Sequence, residues 1–440
     1  MKNLVIFHLE SISRQRLAVF EAVLPHTTRL IREALAFDNF FSSATSTLMT
    51  VGYLFHGNDF EYDTATAFDG IVPEGNNPHL FSILRDRGYH VELICLNGYR
   101  HVKPIRLRSW SNALPPAWET HDFPTLIAKF DALTDAAPFA IYVWDLITHI
   151  EHSLALAPHS SGLTDQVRRA YAVADDAVGK MRSILERKGL LENTTIVLYG
   201  DHGDDIWTHG FKAGLIHGTE PYTDMIWTPL AIRDPGLAPG VSDVLASTID
   251  IAPTCLSVLG IEAKYSFPYS GVDLLHGGSA FAFSQNFTAN QEEVHAVTKA
   301  FAVTDKTHTL LVSACGLEFY AHRLDPGNHC NLLHFFTLDG SGRPILRDLA
   351  GTSRHFQTAW QDNPRAVESM ADDFQRLRRA LVAHVAAKRA YIRGRGVEPT
   401  HALDPTCLDS ISQEGREAFF GGRGTIGATM PEFEFAYKLR

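Results

Sequence analysis

The sequence predicts an α/β protein: a large, mostly parallel central sheet flanked by helices on both faces, with a small C-terminal antiparallel subdomain. Three observations predict it. From residue 1 to about 260, short apolar runs alternate with amphipathic segments of helical period, the pattern of a parallel sheet covered on both sides. Beyond about residue 285, strands follow one another without intervening helices, which is an antiparallel rhythm. Several apolar runs of the first part also end in acidic or histidine side chains, where open α/β sheets place their chemistry. The implied division is 1–285 for an α/β domain carrying the candidate site, 286–345 for the antiparallel subdomain and 346–440 for a helical and irregular extension.

Taken in order, Asn3 to Leu9 reads as the first strand, and a helical region follows through Leu35. Phe37 to Phe41 is an aromatic strand, and a helix runs from about Leu48 to Phe55. Helix Leu80 to Arg87 is stopped by Gly88, ahead of strand His90 to Leu96. Phe139 to Trp144 is a strand. Between Asp165 and Lys188, Val167, Ala170, Tyr171, Ala174, Val178, Met181 and Leu185 recur at helical intervals, and Gly189 ends that helix before strand Thr195 to Tyr199. Thr228 to Ile232 reads as another strand, and Asp250 caps a helix from Ile251 to Leu259. In the C-terminal part, Lys299 to Thr304, Thr309 to Ser313 and Glu318 to His322 are adjacent strands. A charged helix spans about Pro364 to Arg393, with a solvated face near Arg376 to Arg379, and a Gly-rich tail follows as a surface for contact with the body or a second subunit.

Charge and cysteine content narrow the function. The 50 acidic residues outnumber the 39 basic ones, a net charge of −11, so the bulk field repels nucleic acid and anionic lipid. An acidic enzyme working on an anion needs local cations, which bound metal ions supply. No apolar run approaches the roughly 20 residues of a membrane span, and Met1-Lys2-Asn3 leads straight into a strand, so the expectation is a soluble cytoplasmic protein. Five scattered cysteines, Cys95, Cys255, Cys315, Cys330 and Cys407, form neither a disulfide framework nor a zinc motif.

Candidate ligands sit at or just past strand ends. Glu10 follows the first strand. Thr47 opens the helix after Phe37 to Phe41, with Thr45 and Ser46 as competitors for the capping role. Asp145 and His149 follow strand Phe139 to Trp144, with three residues between them. Asp201 and His202 end the run Thr195 to Gly200, and His217 is near enough in sequence to return to the same edge. Mixed carboxylate and imidazole ligands favour zinc, with manganese or another divalent ion as the alternative. Asn97, Arg100 and His101 follow strand His90 to Leu96 and are candidates to bind substrate oxygens.

These pieces are similar to the alkaline phosphatase superfamily on its sulfatase and phosphoethanolamine transferase side. The resemblance is carried by Glu10, by Phe37-Asp38-Asn39-Phe40-Phe41 leading to Thr45-Ser46-Thr47, by Gly200-Asp201-His202-Gly203 and by His217-Gly218-Thr219. Asp250-Ile251-Ala252-Pro253-Thr254, Gly271-Val272-Asp273-Leu274-Leu275, and Asp325-Pro326 with Asn331-Leu332 extend it, so that it runs from residue 3 to about 335. It implies Glu10, Thr47, Asp201 and His202 around one metal ion and Asp145, His149 and His217 around a second, with Thr47 as a nucleophile that passes through a covalent phosphothreonine. His209 and Lys212 resemble the sulfatase pair that touches the substrate anion.

One departure redirects the chemistry. Sulfatases of this superfamily convert a Cys or Ser in a Cys-x-Pro-x-Arg context into an aldehyde hydrate, whereas this chain reads Thr47-Leu48-Met49-Thr50-Val51. Threonine cannot form that aldehyde. The expectation is a phosphodiester hydrolase or substituted-phosphoryl transferase acting on a small-molecule or glycan phosphoester. Sulfate ester hydrolysis, phosphomonoester hydrolysis and a catalytically silent binding role remain as alternatives.

Overall fold

The computed structural model describes residues 1–60, 77–98, 106–108, 117–136, 138–149, 163–205, 217–218, 220–262, 265, 267–286, 300–313, 316–341, 343–346 and 364–394. Two compact units divide the chain. The first comprises Met1–Asp204 and Asp224–Ser279, and the second Asp205–Thr223 and Ala280–Arg440.

In chain order the elements up to residue 279 are β1 (Asn3–Leu9), α1 (Arg14–Val19), α2 (Pro25–Arg32), β2 (Leu35–Phe41), α3 (Thr47–His56), α4 (Leu80–Asp86), β3 (His90–Gly98), β4 (Arg106–Arg108), β5 (Ala117–Asp122), α5 (Phe123–Leu133), β6 (Phe139–Asp145), α6 (Leu163–Arg187), β7 (Thr194–Gly200), α7 (Thr223–Ile226), β8 (Leu230–Arg233), β9 (Gly240–Ser247) and α8 (Ile251–Val258). The strands form one nine-stranded sheet in the order β4-β5-β3-β6-β1-β7-β8-β2-β9. It is parallel apart from β8, which runs antiparallel to β7 and β2, and β4, antiparallel to β5. The expected mostly parallel sheet with helices is what the chain forms.

Every residue of β1, β6 and β7 is buried, which is why these strands read as unbroken apolar runs and not as alternating ones. Their register sets the site. Leu9 lies beside both Asp145 of β6 and Gly200 of β7, so the three central strands stop at one level and Glu10, Asp145 and Asp201 leave the sheet edge together.

Three elements were not legible as apolar runs. β9 exposes its first half, β5 carries Glu119, His121 and Asp122, and α5 follows β5 directly, capped by the Asp122 carboxylate on the Thr125 N–H at 2.9 Å. The strand expected at Thr228 to Ile232 is Leu230–Arg233, and it runs antiparallel to both of its neighbours.

The second unit holds β10 (Ala282–Gln285), β11 (Phe301–Thr304), β12 (Thr309–Ser313) and β13 (Gly316–Tyr320) in one antiparallel sheet, then β14 (Phe336–Leu338) paired with β15 (Pro344–Leu346), and α9 (Pro364–Gly394). Met370, Phe374, Leu377, Leu381 and Val385 line one stripe of α9 and are buried with Phe301, Val303, Leu310 and Phe319, the three- and four-residue spacing of a helix packed on a sheet. Among the described residues, no helix is long and apolar enough to cross a membrane.

Candidate active site

Asp201 is the centre of the site. β7 ends at Gly200, and both glycines of Gly200-Asp201-His202-Gly203 are required by close backbone. A Cβ at Gly200 would stand 2.4 Å from the Ile12 carbonyl oxygen, and one at Gly203 would stand 2.0 Å from that of Asp224. The tight turn gives Asp201 Oδ1 two backbone donors, Ser11 N at 3.0 Å and His202 N at 2.8 Å. Ser11 reaches that position at φ 56°, a left-handed conformation uncommon for a residue other than glycine. Asp201 Oδ2 is left facing two imidazoles, His8 Nε2 at 3.1 Å and His202 Nε2 at 3.2 Å.

Glu10 and Thr47 close the constellation. Ser46 occupies the N-cap position of α3 without a capping side-chain bond, and the Thr47 hydroxyl points elsewhere. It donates to Glu10 Oε1 at 2.8 Å and lies 3.0 Å from His202 Nε2. The other Glu10 oxygen accepts the Trp144 indole N–H at 2.6 Å. His202 Nδ1 lies 2.8 Å from the Gly203 carbonyl oxygen, so it carries the ring proton and leaves Nε2 as a bare lone pair aimed at Thr47, Asp201 and Glu10. That tautomer suits a metal ligand.

The electrostatics ask for a cation. Burial, and next the charge of Asp201, push the Glu10 carboxyl well above its ordinary range, against the bonds from Trp144 and Thr47. Burial acts upward on Asp201 too, but the His202 and His8 rings and the Ser11 N–H hold it well below the usual carboxylate range. Among the described residues no lysine or arginine pairs with either carboxylate. Two buried carboxylates, a bare imidazole nitrogen and a hydroxyl facing one another fit a divalent ion, which lets both carboxylates carry charge.

Asp145 is buried beside this group. Thr148 Oγ1 ties it in, donating to the Glu10 carbonyl oxygen at 2.7 Å with Asp145 Oδ2 at 3.1 Å. Burial first of all, and the Asp201 charge, raise the Asp145 carboxyl to about 8 despite bonds from Thr148 and Ile147. His149 is half-buried just after it. Among the described residues, Asp145 and His149 belong to no three-ligand cluster, whereas Glu10 and Asp201 join His8 in one. His217 is half-buried and belongs to the second unit. Asn97 lies at the end of β3. Arg100, His101, His209 and Lys212 lie outside the described residues.

Two contributors escaped the sequence reading. His8 stands two positions before Glu10 on β1, and the period of two puts both on one face. Arg16 is buried and clamps the turn after β7, with Nη1 on Asp204 Oδ2 at 2.9 Å and on the Ser11 carbonyl at 3.2 Å, and Nη2 on the Asp204 carbonyl at 2.9 Å. Only the first of these had a readable signal, its parity with Glu10.

The fold and this constellation define an α/β enzyme of the hydrolase or transferase kind with a site suited to a divalent metal. The Sulfatase family profile matches residues 2–261. The chain belongs to the sulfatase family, within the alkaline phosphatase superfamily. It is 33% identical over 115 residues to choline-sulfatase of Rhizobium meliloti (strain 1021), covering 24% of this chain and 21% of that protein. It is 31% identical over 108 residues to lipoteichoic acid synthase of Staphylococcus aureus (strain USA300), covering 24% and 17%. The matched segments thus span about a fifth of these curated relatives. Among solved structures, one in complex with its substrate D-glucosamine-2-N,6-O-disulfate superposes with a TM-score of 0.56 at 15% identity, over 85% of this chain and 99% of that one. The phosphonate monoester hydrolase of Agrobacterium radiobacter gives 0.56 at 15% identity, over 79% and 100%. At that identity the likeness is one of fold.

Proposed function

We propose that this chain is a zinc-dependent phosphoryl-transfer enzyme, a phosphodiester hydrolase or substituted-phosphoryl transferase that works through a covalent bond to Thr47. The observation that carries the reading is the Thr47 hydroxyl, held at 2.8 Å from Glu10 Oε1 and 3.0 Å from His202 Nε2 at the start of a helix. A bound zinc or manganese ion would be held by Glu10, Asp201, His202 and Thr47, and would supply positive charge that favours the ionised hydroxyl and the anionic phosphoryl group. Thr47 Oγ1 forms the bond to phosphorus as the bond to the leaving oxygen breaks, and its proton leaves toward Glu10 Oε1, which already accepts it. Water or an acceptor hydroxyl then displaces Thr47 from phosphorus and the threonine hydroxyl is restored. The first N–H groups of α3 point at the same place and favour the anion. Asp145, His149 and His217 are proposed for a second ion, and Asn97, Arg100, His101, His209 and Lys212 for contacts to the substrate.

The relatives' names divide between phosphorus and sulfur. Lipoteichoic acid synthase and phosphonate monoester hydrolase favour the phosphorus reading, together with a threonine where sulfatases form an aldehyde. Choline-sulfatase supports the second reading, sulfate ester hydrolysis. Turnover of bis-p-nitrophenyl phosphate and p-nitrophenyl sulfate by the zinc-loaded protein separates them, with the diester expected to be faster. Intact-mass analysis with candidate donors is expected to show an adduct on the wild type and none on Thr47→Ala, whose turnover should fall by a factor on the order of a thousand or more. An adduct of equal mass on Thr47→Ala rules out the nucleophile assignment.

A further inference from the structure

His8 is unaccounted for by the reaction above, and its surroundings determine where its proton sits. The side chain is fully buried, stacked between Trp144 at a centroid distance of 5.6 Å and Tyr199 at 5.1 Å. Its Nδ1 lies 2.7 Å from the Tyr142 hydroxyl, which lies 2.6 Å from the Tyr199 hydroxyl. All three groups are out of contact with solvent. Among the described residues, the Tyr199 hydroxyl makes its only hydrogen bond to Tyr142.

The protons along this row can be counted. The row has two contacts, His8 to Tyr142 and Tyr142 to Tyr199, and each can hold one proton. The two phenols bring two protons. If Nδ1 also carried one, three donors would compete for two contacts, and one buried donor would have no acceptor, an arrangement folded proteins avoid. With the ring proton on Nε2 both contacts of the row are filled, since Tyr199 donates to Tyr142 and Tyr142 donates to Nδ1, and Nε2–H is turned to the site. There the nitrogen lies 3.1 Å from Asp201 Oδ2 and 3.6 Å from Glu10 Oε2, close to both carboxylates and aligned for a hydrogen bond with neither.

We infer that His8 is a positioning residue for the metal-holding carboxylates: locked by the Tyr199–Tyr142 pair as the Nε2–H tautomer, it steadies Asp201 and Glu10 with the positive end of that N–H bond and does not itself ligate the ion. This rests on the reading of Glu10 and Asp201 as metal-holding groups. The two histidines that face Asp201 Oδ2 then have opposite duties. His202 offers a lone pair, because its Nδ1 donates to Gly203, and His8 offers a proton, because its Nδ1 accepts from Tyr142.

The test uses the full chain. In 15N-histidine-labelled protein, two-bond proton–nitrogen correlations report which ring nitrogen is protonated, and the His8 signals are those lost in His8→Gln. The expected result is a proton on Nε2, before and after zinc is added. A proton on Nδ1, or an Nε2 signal moved to a metal-bound position by zinc, overturns the inference and makes His8 a ligand. Chelator competition with zinc gives a second readout. His8→Leu and Tyr142→Phe should weaken zinc binding by about 10- to 100-fold, His8→Gln should restore much of it through its amide N–H, and Tyr199→Phe, which removes only the outermost donor, should change it by less than about threefold. Wild-type affinity in His8→Leu, checked for a native melting transition, overturns the positioning role. Failure of the wild type to bind zinc while Nε2 carries the proton sinks the metal reading and leaves the hydrogen-bond assignment standing.

Discussion

The Thr47 hydroxyl has one proton and two acceptors, and residues that never touch it decide where those acceptors stand. Arg16 is the clearest of these. Its guanidinium joins the turn after β1 to the turn after β7 through Ser11 and Asp204, so that Glu10 and Asp201 are set by one rigid fork. Arg16→Ala is expected to destabilise the protein by about 3–5 kcal/mol in urea unfolding, and Arg16→Lys to recover only part, since an ammonium cannot span the three oxygens. Equal stability of wild type and Arg16→Ala would show that the clamp is ornamental. Glu10, Thr47, Asp201 and His202 were legible in the sequence because each follows directly from an apolar strand or opens a helix. His8 and Arg16 were not singled out, since a histidine inside a strand reads as core and an arginine at a helix start reads as surface. What distinguishes them is burial against groups more than a hundred residues away, which no local pattern carries.

At the level of elements, β1, β6 and β7 announced themselves by unbroken burial, while β5 and β9 did not, because polar or exposed strands lack the apolar run on which a reading depends. α9 was read as a charged helix with a solvated face, and its buried stripe Met370, Phe374, Leu377, Leu381 and Val385 supplies the other side. The sheet that this helix covers also carries a pH-sensitive group. His322, just past β13, is fully buried with Nδ1 3.2 Å from the Thr309 hydroxyl, and burial pushes its imidazole down to about 3. The folded ring stays neutral while the unfolded one takes a proton near 6.5. Its contribution is therefore fully present above the unfolded value and is lost as pH falls toward the folded one. The difference in unfolding free energy between wild type and His322→Gln is expected to shrink by about 2 kcal/mol between pH 7 and pH 5. A difference that stays constant, measured by urea melts at both pH values, would mean that the ring is protonated in the folded protein or already titrates there.

Across the whole molecule, the chain enters the second unit twice, at Asp205–Thr223 and again from Ala280. Within that unit Tyr222 reaches the Glu318 carboxylate at 3.3 Å and the Thr223 N–H reaches Asn328 Oδ1 at 2.5 Å. A protein ending at residue 279 keeps the first segment and loses its partners, so it is expected to melt below the full chain or to aggregate. An unchanged melting temperature for 1–279 would show that the two segments do not depend on each other. The antiparallel strand β8 has a different kind of consequence. It occupies the single place between β7, which ends at the Asp201 turn, and β2, which leads to Thr47. The strands that lead to Thr47 and to the Asp201 turn are thereby spaced by interstrand pitch, two steps of roughly 4.8 Å, and residues 42–46 carry Thr47 back to within 3.0 Å of His202 Nε2. Loops elsewhere at the sheet edge are then free to lengthen, shorten or be exchanged, while the strands that lead to Thr47 and Asp201 keep their separation.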